Sequence, residues 1–167
     1  MPNVFRGKSP LWASLALCVA SAFAGCSPRP EGETAQPAQR SESSYTEAGS
    51  YQMHYNAFRS DTLKPEVARA YGIERSKNRV TLNVTVLRKE GTAQPTPVEA
   101  EVSVEAYNLN GQQKQMSIRR VNEGAAIYYI GETGINGAEI LAFNIKATPL
   151  NDTTLLEGKM RREFFSD

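Results

Sequence analysis

From Ser27 onward the chain has no cysteine, because its only two, Cys18 and Cys26, stand before that point. No disulfide can form in that part, and it offers neither a thiol nucleophile nor a thiolate metal ligand. Histidine is nearly absent too, with His54 alone, and the single tryptophan is Trp12. One imidazole without cysteine cannot assemble a nitrogen–sulfur zinc site. No Gly-x-Ser-x-Gly elbow accompanies it, so the motif that would make it the base of a hydrolytic triad is missing. No apolar run reaches the roughly 20 residues that a spanning helix needs, and there is no internal repeat or heptad pattern. Neither sign of charge dominates, with 19 Lys and Arg against 18 Asp and Glu. That balance gives no drive toward nucleic acid and no long-range pull to anionic lipid.

What is present begins with an address. Arg6 and Lys8 precede an apolar run from Leu11 to Ala24 that ends in small residues, the layout of a secretory signal over residues 1–25. The segment Phe23-Ala-Gly-Cys26 resembles a bacterial lipobox, in which Cys26 becomes the lipidated first residue of the mature chain. The plainer alternatives are an ordinary signal peptide cut at another bond, or an uncleaved anchor. Ser27 after the cysteine resembles the sorting pattern for the outer membrane. Acyl chains contribute about 0.8 kcal/mol per buried methylene, so two or three of them hold a protein at a membrane it does not span. With Arg6 and Lys8 removed, 17 basic residues would face 18 acidic ones.

Residues 26–48 are rich in Ser, Pro, Gln, Glu and Gly, with Tyr45 as their only aromatic. Such a segment buries too little apolar surface to offset its ordering entropy, which predicts a disordered tether. Residues 49–167 then form one domain, long enough for a single core.

That domain reads as strands. Tyr51, Met53 and Tyr55 alternate with Gln52, His54 and Asn56, and Val80, Leu82, Val84 and Val86 alternate with Thr81, Asn83 and Thr85. Val98, Ala100, Val102, Val104 and Ala106 do the same against Glu99, Glu101, Ser103 and Glu105. A period of two is that of a strand with one buried face. Between the first two runs, Pro65 and Gly72 bound one short helix, since proline suits a first turn and glycine the left-handed residue past the last. Asn110-Gly111 predicts a type I′ hairpin leading into a strand over 113–121. Further strands follow at 125–130 and 140–147, joined by a 131–137 loop, and one near 159–165. About seven strands at this spacing predict an all-β, antiparallel β-sandwich with one short helix between the first two strands.

Three blocks, Asn56-Ala-Phe-Arg-Ser, Leu63-Lys-Pro-Glu-Val-Ala-Arg-Ala-Tyr-Gly-Ile and Arg75-Ser-Lys-Asn-Arg, resemble a family of small secreted proteins of Gram-negative bacteria known only as a domain of unknown function. The strand Leu82-Asn-Val-Thr-Val and the segment Glu123-Gly-Ala-Ala-Ile-Tyr-Tyr are similar to that family as well. The resemblance implies an envelope protein with an immunoglobulin-like sandwich, and it carries no catalytic assignment.

The remaining candidates each have a bland reading beside a functional one. Arg69, Arg75, Lys77 and Arg79 could bind phosphate, lipopolysaccharide head groups or an acidic partner; equally, Arg75 and Lys77 follow the helix, where cations complement its negative end. Tyr71 either packs that helix on the sheet or touches a ligand. Glu99, Glu101 and Glu105 share one strand face, about 6.7 Å apart at successive steps, and diverge where calcium would need convergence. The run Ala125-Ala-Ile-Tyr-Tyr-Ile is apolar on both phases, so Tyr128 and Tyr129 are either covered by helix and loops or form a protein contact. The reading that best fits is a lipid-anchored periplasmic binding or structural module, neither an enzyme nor the holder of a cofactor or metal. Its partners are the membrane, through Cys26, and an envelope protein. An accessory or chaperone-like subunit that pairs an edge strand with its client is the alternative, and a hydrolase or metal-dependent enzyme is weaker still.

Overall fold

A computed structural model describes residues 44–166. Cys26, the leader and residues 26–43 of the expected tether lie outside them. The described chain is an antiparallel β-sandwich of two sheets, as its alternation predicts, with ten strands in place of about seven.

The first sheet is seeded by β2 (Tyr51–Arg59) and β3 (Arg79–Arg88). Their register sets Met53 opposite Val86, Tyr55 opposite Val84 and Ala57 opposite Leu82, so both inward phases meet on one face. Val80, Leu82, Val84 and Val86 are fully buried there, and each such side chain contributes about 1.5–3 kcal/mol of transfer free energy. On one flank β2 pairs with β1 (Ser44–Ala48). This corrects the tether boundary: Ser44–Ala48 belongs to the sheet. Its composition is that of a linker, and it is a strand because the edge of β2 offers it a ladder. The helix therefore lies between the second and third strands.

On the other flank β3 pairs with β8 (Ala126–Gly134), and β8 with β7 (Ser117–Glu123); the two-residue β4 (Thr96–Pro97) meets the far end of β3. The second sheet runs β10 (Leu156–Phe165), β9 (Ala138–Pro149), β5 (Ala100–Asn108), β6 (Gln113–Lys114). Its Leu141, Phe143, Ile145, Leu156 and Phe164 close the core against β2 and β3.

Three local expectations change, the first being the 131–137 loop, since β8 runs on to Gly134. The strand expected over 113–121 is two: Gln115 and Met116 carry the chain from β6, at one sheet's edge, to β7, at the other's. In the hairpin after β5 only Gly111 has positive φ (75°), so the loop is longer than a type I′ turn. The Asn108 side chain closes it, its Oδ1 accepting from the amides of Asn110 and Gln112 at 3.0 Å each.

Candidate functional site

The outer face of the first sheet carries α1 (Pro65–Ala70), the one α-helix among the described residues. Six residues are too few to hold a helix by propensity, and its ends show what does. Gly72 takes φ 61°; its amide bonds the Arg69 carbonyl at 3.2 Å, and the Ile73 amide bonds that of Ala68 at 2.8 Å. These two bonds make a Schellman motif, with Ile73 packed back toward Ala68. The loops on either side are cross-tied. Ser60, fully buried, accepts from the Ser76 amide at 2.9 Å and donates to the Glu74 carbonyl at 2.7 Å.

The basic residues separate once placed. Arg75 donates from Nε to the Leu63 carbonyl and from Nη2 to that of Asp61, both at 2.7 Å, and so straps the entry to the helix. Arg79 pairs with Glu74 at 3.0 Å. Arg69 and Lys77 are exposed. The helix's carbonyl end is served neither by Arg75 nor by Lys77: Arg119 of β7 reaches over and donates to the carbonyls of Tyr71 (2.6 Å) and Gly72 (3.2 Å). Sequence spacing could not find it, because β7 lies far along the chain.

The tyrosines separate as well. Tyr129 points into the core, and its hydroxyl accepts from the Ala100 amide at 2.6 Å; as a partner contact it is corrected. Tyr128 faces the other way, toward α1, where it meets Tyr71 with ring centroids 5.8 Å apart. The end of the run is thus packed on both phases, Tyr129 against the core and Tyr128 and Ile130 under the helix, with Ile130 buried among Leu63, Ala68, Ile73 and Val121, while Ala125 at its start is exposed. Tyr71 donates to Glu123. That hydrogen bond, followed by burial, pushes the Tyr71 phenol up to about 12.

Between helix and sheet remains a cavity of about 260 Å³. Leu63, Tyr71 and Ile73 form its roof; Phe58, Tyr128 and Ile130 its walls; Thr81 and Asn83 its floor. The floor is unusual in its polar groups. Three buried side-chain atoms lack a hydrogen-bond partner among the described residues: Thr81 Oγ1, Asn83 Oδ1 and Glu132 Oε1. Register places all three together, since Thr81 faces Glu132 and Asn83 faces Ile130 across β3 and β8. Leaving such a group unpaired costs roughly 1–3 kcal/mol. Beside the cavity, and sharing Ile130, is an open groove of about 640 Å³ lined by Arg79, Lys114, Arg119 and Glu132. In it Lys114 is bonded to Glu139 at 3.0 Å. Burial alone would raise the Glu139 carboxyl, but Lys114 and the Asn136 amide outweigh it and hold the group below its ordinary value.

Other candidates take structural places. His54 stacks on Tyr45 of β1, centroids 5.5 Å apart. Glu99 pairs with Arg120 at 2.6 Å, Glu105 accepts from Tyr107, and Glu101 is exposed. Among the described residues no three His, Cys, Asp or Glu side chains gather where a metal ion could be held.

Comparison with known proteins agrees with this architecture. A crystal structure of a DUF4426 family protein from Pseudomonas aeruginosa PAO1 is 34% identical, with a TM-score of 0.62 over 75% of this chain and 96% of that one. Two structures of FetP from uropathogenic Escherichia coli strain F11, one copper-bound, are 11% and 12% identical, with TM-scores of 0.47 and 0.44. They cover 73% and 74% of this chain and 94% and 92% of theirs, a likeness too remote to bear on binding. No curated protein matches. The DUF4426 model, a domain of unknown function, matches residues 45–167, beginning within β1, and the chain belongs to that family.

Proposed function

We propose that this DUF4426 domain is the recognition module of a lipid-anchored protein of the bacterial envelope, held on the periplasmic face of a membrane through acyl chains on Cys26, and that it binds its target without transforming it. The observation that carries the reading is the cavity under α1. Apolar walls with a few convergent polar groups are the usual form of a binding site, and here those groups are a hydroxyl and an amide, with no nucleophile held by a base. His54, the one imidazole, is spent in its stack on Tyr45. The basic and apolar leader supports the export route, the lipobox the anchor, and Ser27 the outer membrane as its destination.

A second reading, an accessory subunit that pairs with a client strand, is favoured by β10. It is ten residues long and pairs within its sheet with β9 alone, leaving an edge for strand addition.

Cell fractionation tests the anchor. The intact protein is expected in the membrane fraction and the Cys26→Ser form in the soluble periplasm; an unchanged membrane pool would remove the lipid from the account. Mild cross-linking of the intact form in envelopes separates the two readings, since adducts on β10 belong to the second and adducts around α1 to the first.

A further inference from the structure

All three of the partnerless buried side-chain atoms among the described residues fall on one patch of one sheet face, and two of them floor the cavity beneath α1. Thr81 is fully buried, so its hydroxyl has the cavity as its outlet. A domain that otherwise ties its polar groups closely, as at Ser60 and Asn108, leaves this pair open where a binding site would need them.

We propose that the cavity under α1 binds a small, uncharged aromatic molecule that carries an O–H or N–H donor, its ring between Phe58, Tyr128 and Ile130 and its polar end on Thr81 and Asn83. No charged side chain is among those that line the cavity, and Glu132, across from Thr81, is acidic, so an anionic ligand would enter without a counter-ion, at a prohibitive desolvation cost. The walls are aromatic and branched aliphatic, which suits a flat ring packed edge or face against rings. Asn83 Oδ1 accepts only, and Thr81 Oγ1 can accept or donate, so the ligand must bring a donor. A cavity of roughly 150 Å³ with apolar walls admits benzene; about 260 Å³ takes one ring with a short substituent. Tyr71 and Leu63 roof the site, and Arg119 and Arg75 hold their carbonyls, so the roof is fixed over the floor.

The inference deepens the reading of the domain as a binding module and is independent of its anchor, so fractionation and ligand binding can fail separately. The test is an amide-resolved NMR titration of the full Cys26→Ser chain with phenol, toluene and benzoate. Phenol is expected to bind saturably with shifts centred on Thr81, Asn83 and Ile130, toluene about tenfold more weakly for want of the floor's hydrogen bonds, and benzoate not at all. Thr81→Val keeps the shape and removes the hydroxyl; it is expected to fold and to erase most of the preference for phenol over toluene. Equal binding of toluene and phenol, an unchanged preference in Thr81→Val, shifts located elsewhere, or no binding of any of the three would each overturn the proposal.

Discussion

The hydroxyl of Tyr129 lies 2.6 Å from the amide nitrogen of Ala100 and accepts its hydrogen bond, joining a strand of one sheet to a strand of the other through the core. Ala100 begins β5, and its amide faces a buried space where water cannot replace the tyrosine. Tyr129→Phe keeps the ring and strands the donor, which predicts a loss of about 1–3 kcal/mol. Urea denaturation followed by far-ultraviolet circular dichroism checks it; an unchanged midpoint would mean that the amide finds another acceptor. Tyr128→Phe, on the opposite face, is expected to cost less.

Two glycines allow close approaches of different hardness. A Cβ on Gly158 would stand 2.6 Å from Cε1 of Tyr55 and 2.9 Å from Cε of Met53, and the tyrosine ring cannot bend away. On Gly131 it would meet Ile118 Cδ1 and Met116 Cγ, the ends of side chains that can turn. Overpacking costs about 1–3 kcal/mol, so Gly158→Ala is expected at the upper end of that range and Gly131→Ala at the lower. Thermal melting of both variants ranks them, and the reverse order would contradict the packing described between β10 and β2.

Arg119 is the cation that serves the carbonyl end of α1. Arg119→Gln is expected to cost roughly 0.5–1 kcal/mol, an exposed charge at a helix terminus being worth that much. The loss should be local: hydrogen exchange at Ala68 to Ile73 should quicken severalfold while the amides of β3 keep their rates. Uniform exchange in variant and parent would show that the helix does not depend on this arginine.

The pH profile should fall at both ends for assignable reasons. The hydroxyl and amide of Thr154, with the Tyr51 hydroxyl, hold Asp152 down to about 2 from an ordinary 3.8. Its folded pKa is depressed, so its contribution is present above about 3.8 and is lost as pH falls to about 2. Tyr71 is shifted the other way, to about 12 from 10.0, by its bond to Glu123. The folded state keeps that proton longer than the unfolded chain does, so the contribution is full below 10 and disappears as pH climbs to about 12. Asp152→Asn should flatten the acid limb of a melting-temperature profile and Tyr71→Phe the alkaline limb; limbs that keep their slopes would count against these assignments.

Much of the fold was legible because the informative patterns are local. Alternation in Tyr51–Tyr55 and Val80–Val86 names the inward phase of β2 and β3 directly, and Pro65 with Gly72 brackets α1. What escaped depends on neighbours distant in sequence. Ser44–Ala48 has a linker's composition and becomes a strand only beside β2. Gly131 to Gly134 reads as a loop, whereas β8 runs through it, because the glycine that suggests a turn is there to admit Ile118 and Met116. The site shows the same division. Tyr71 stands out as a helix residue free to pack on the sheet, and Tyr128 by the apolar run that holds it. Thr81 and Asn83 occupy the solvent-facing phase of β3 and read as surface residues, since only the helix overhead buries them. The signal that could have pointed to them is the second apolar phase of 125–130, which requires a cover and hence a space beneath it.

The passage of the chain through Gln115 and Met116, from the margin of one sheet to the margin of the other, has a mechanical consequence. The two layers are joined there by a two-residue span and share the core between them, so losing one layer strips the other of its buried face. Denaturant should therefore dissolve the sandwich in a single step, with probes on β3 and β9 reporting the same midpoint.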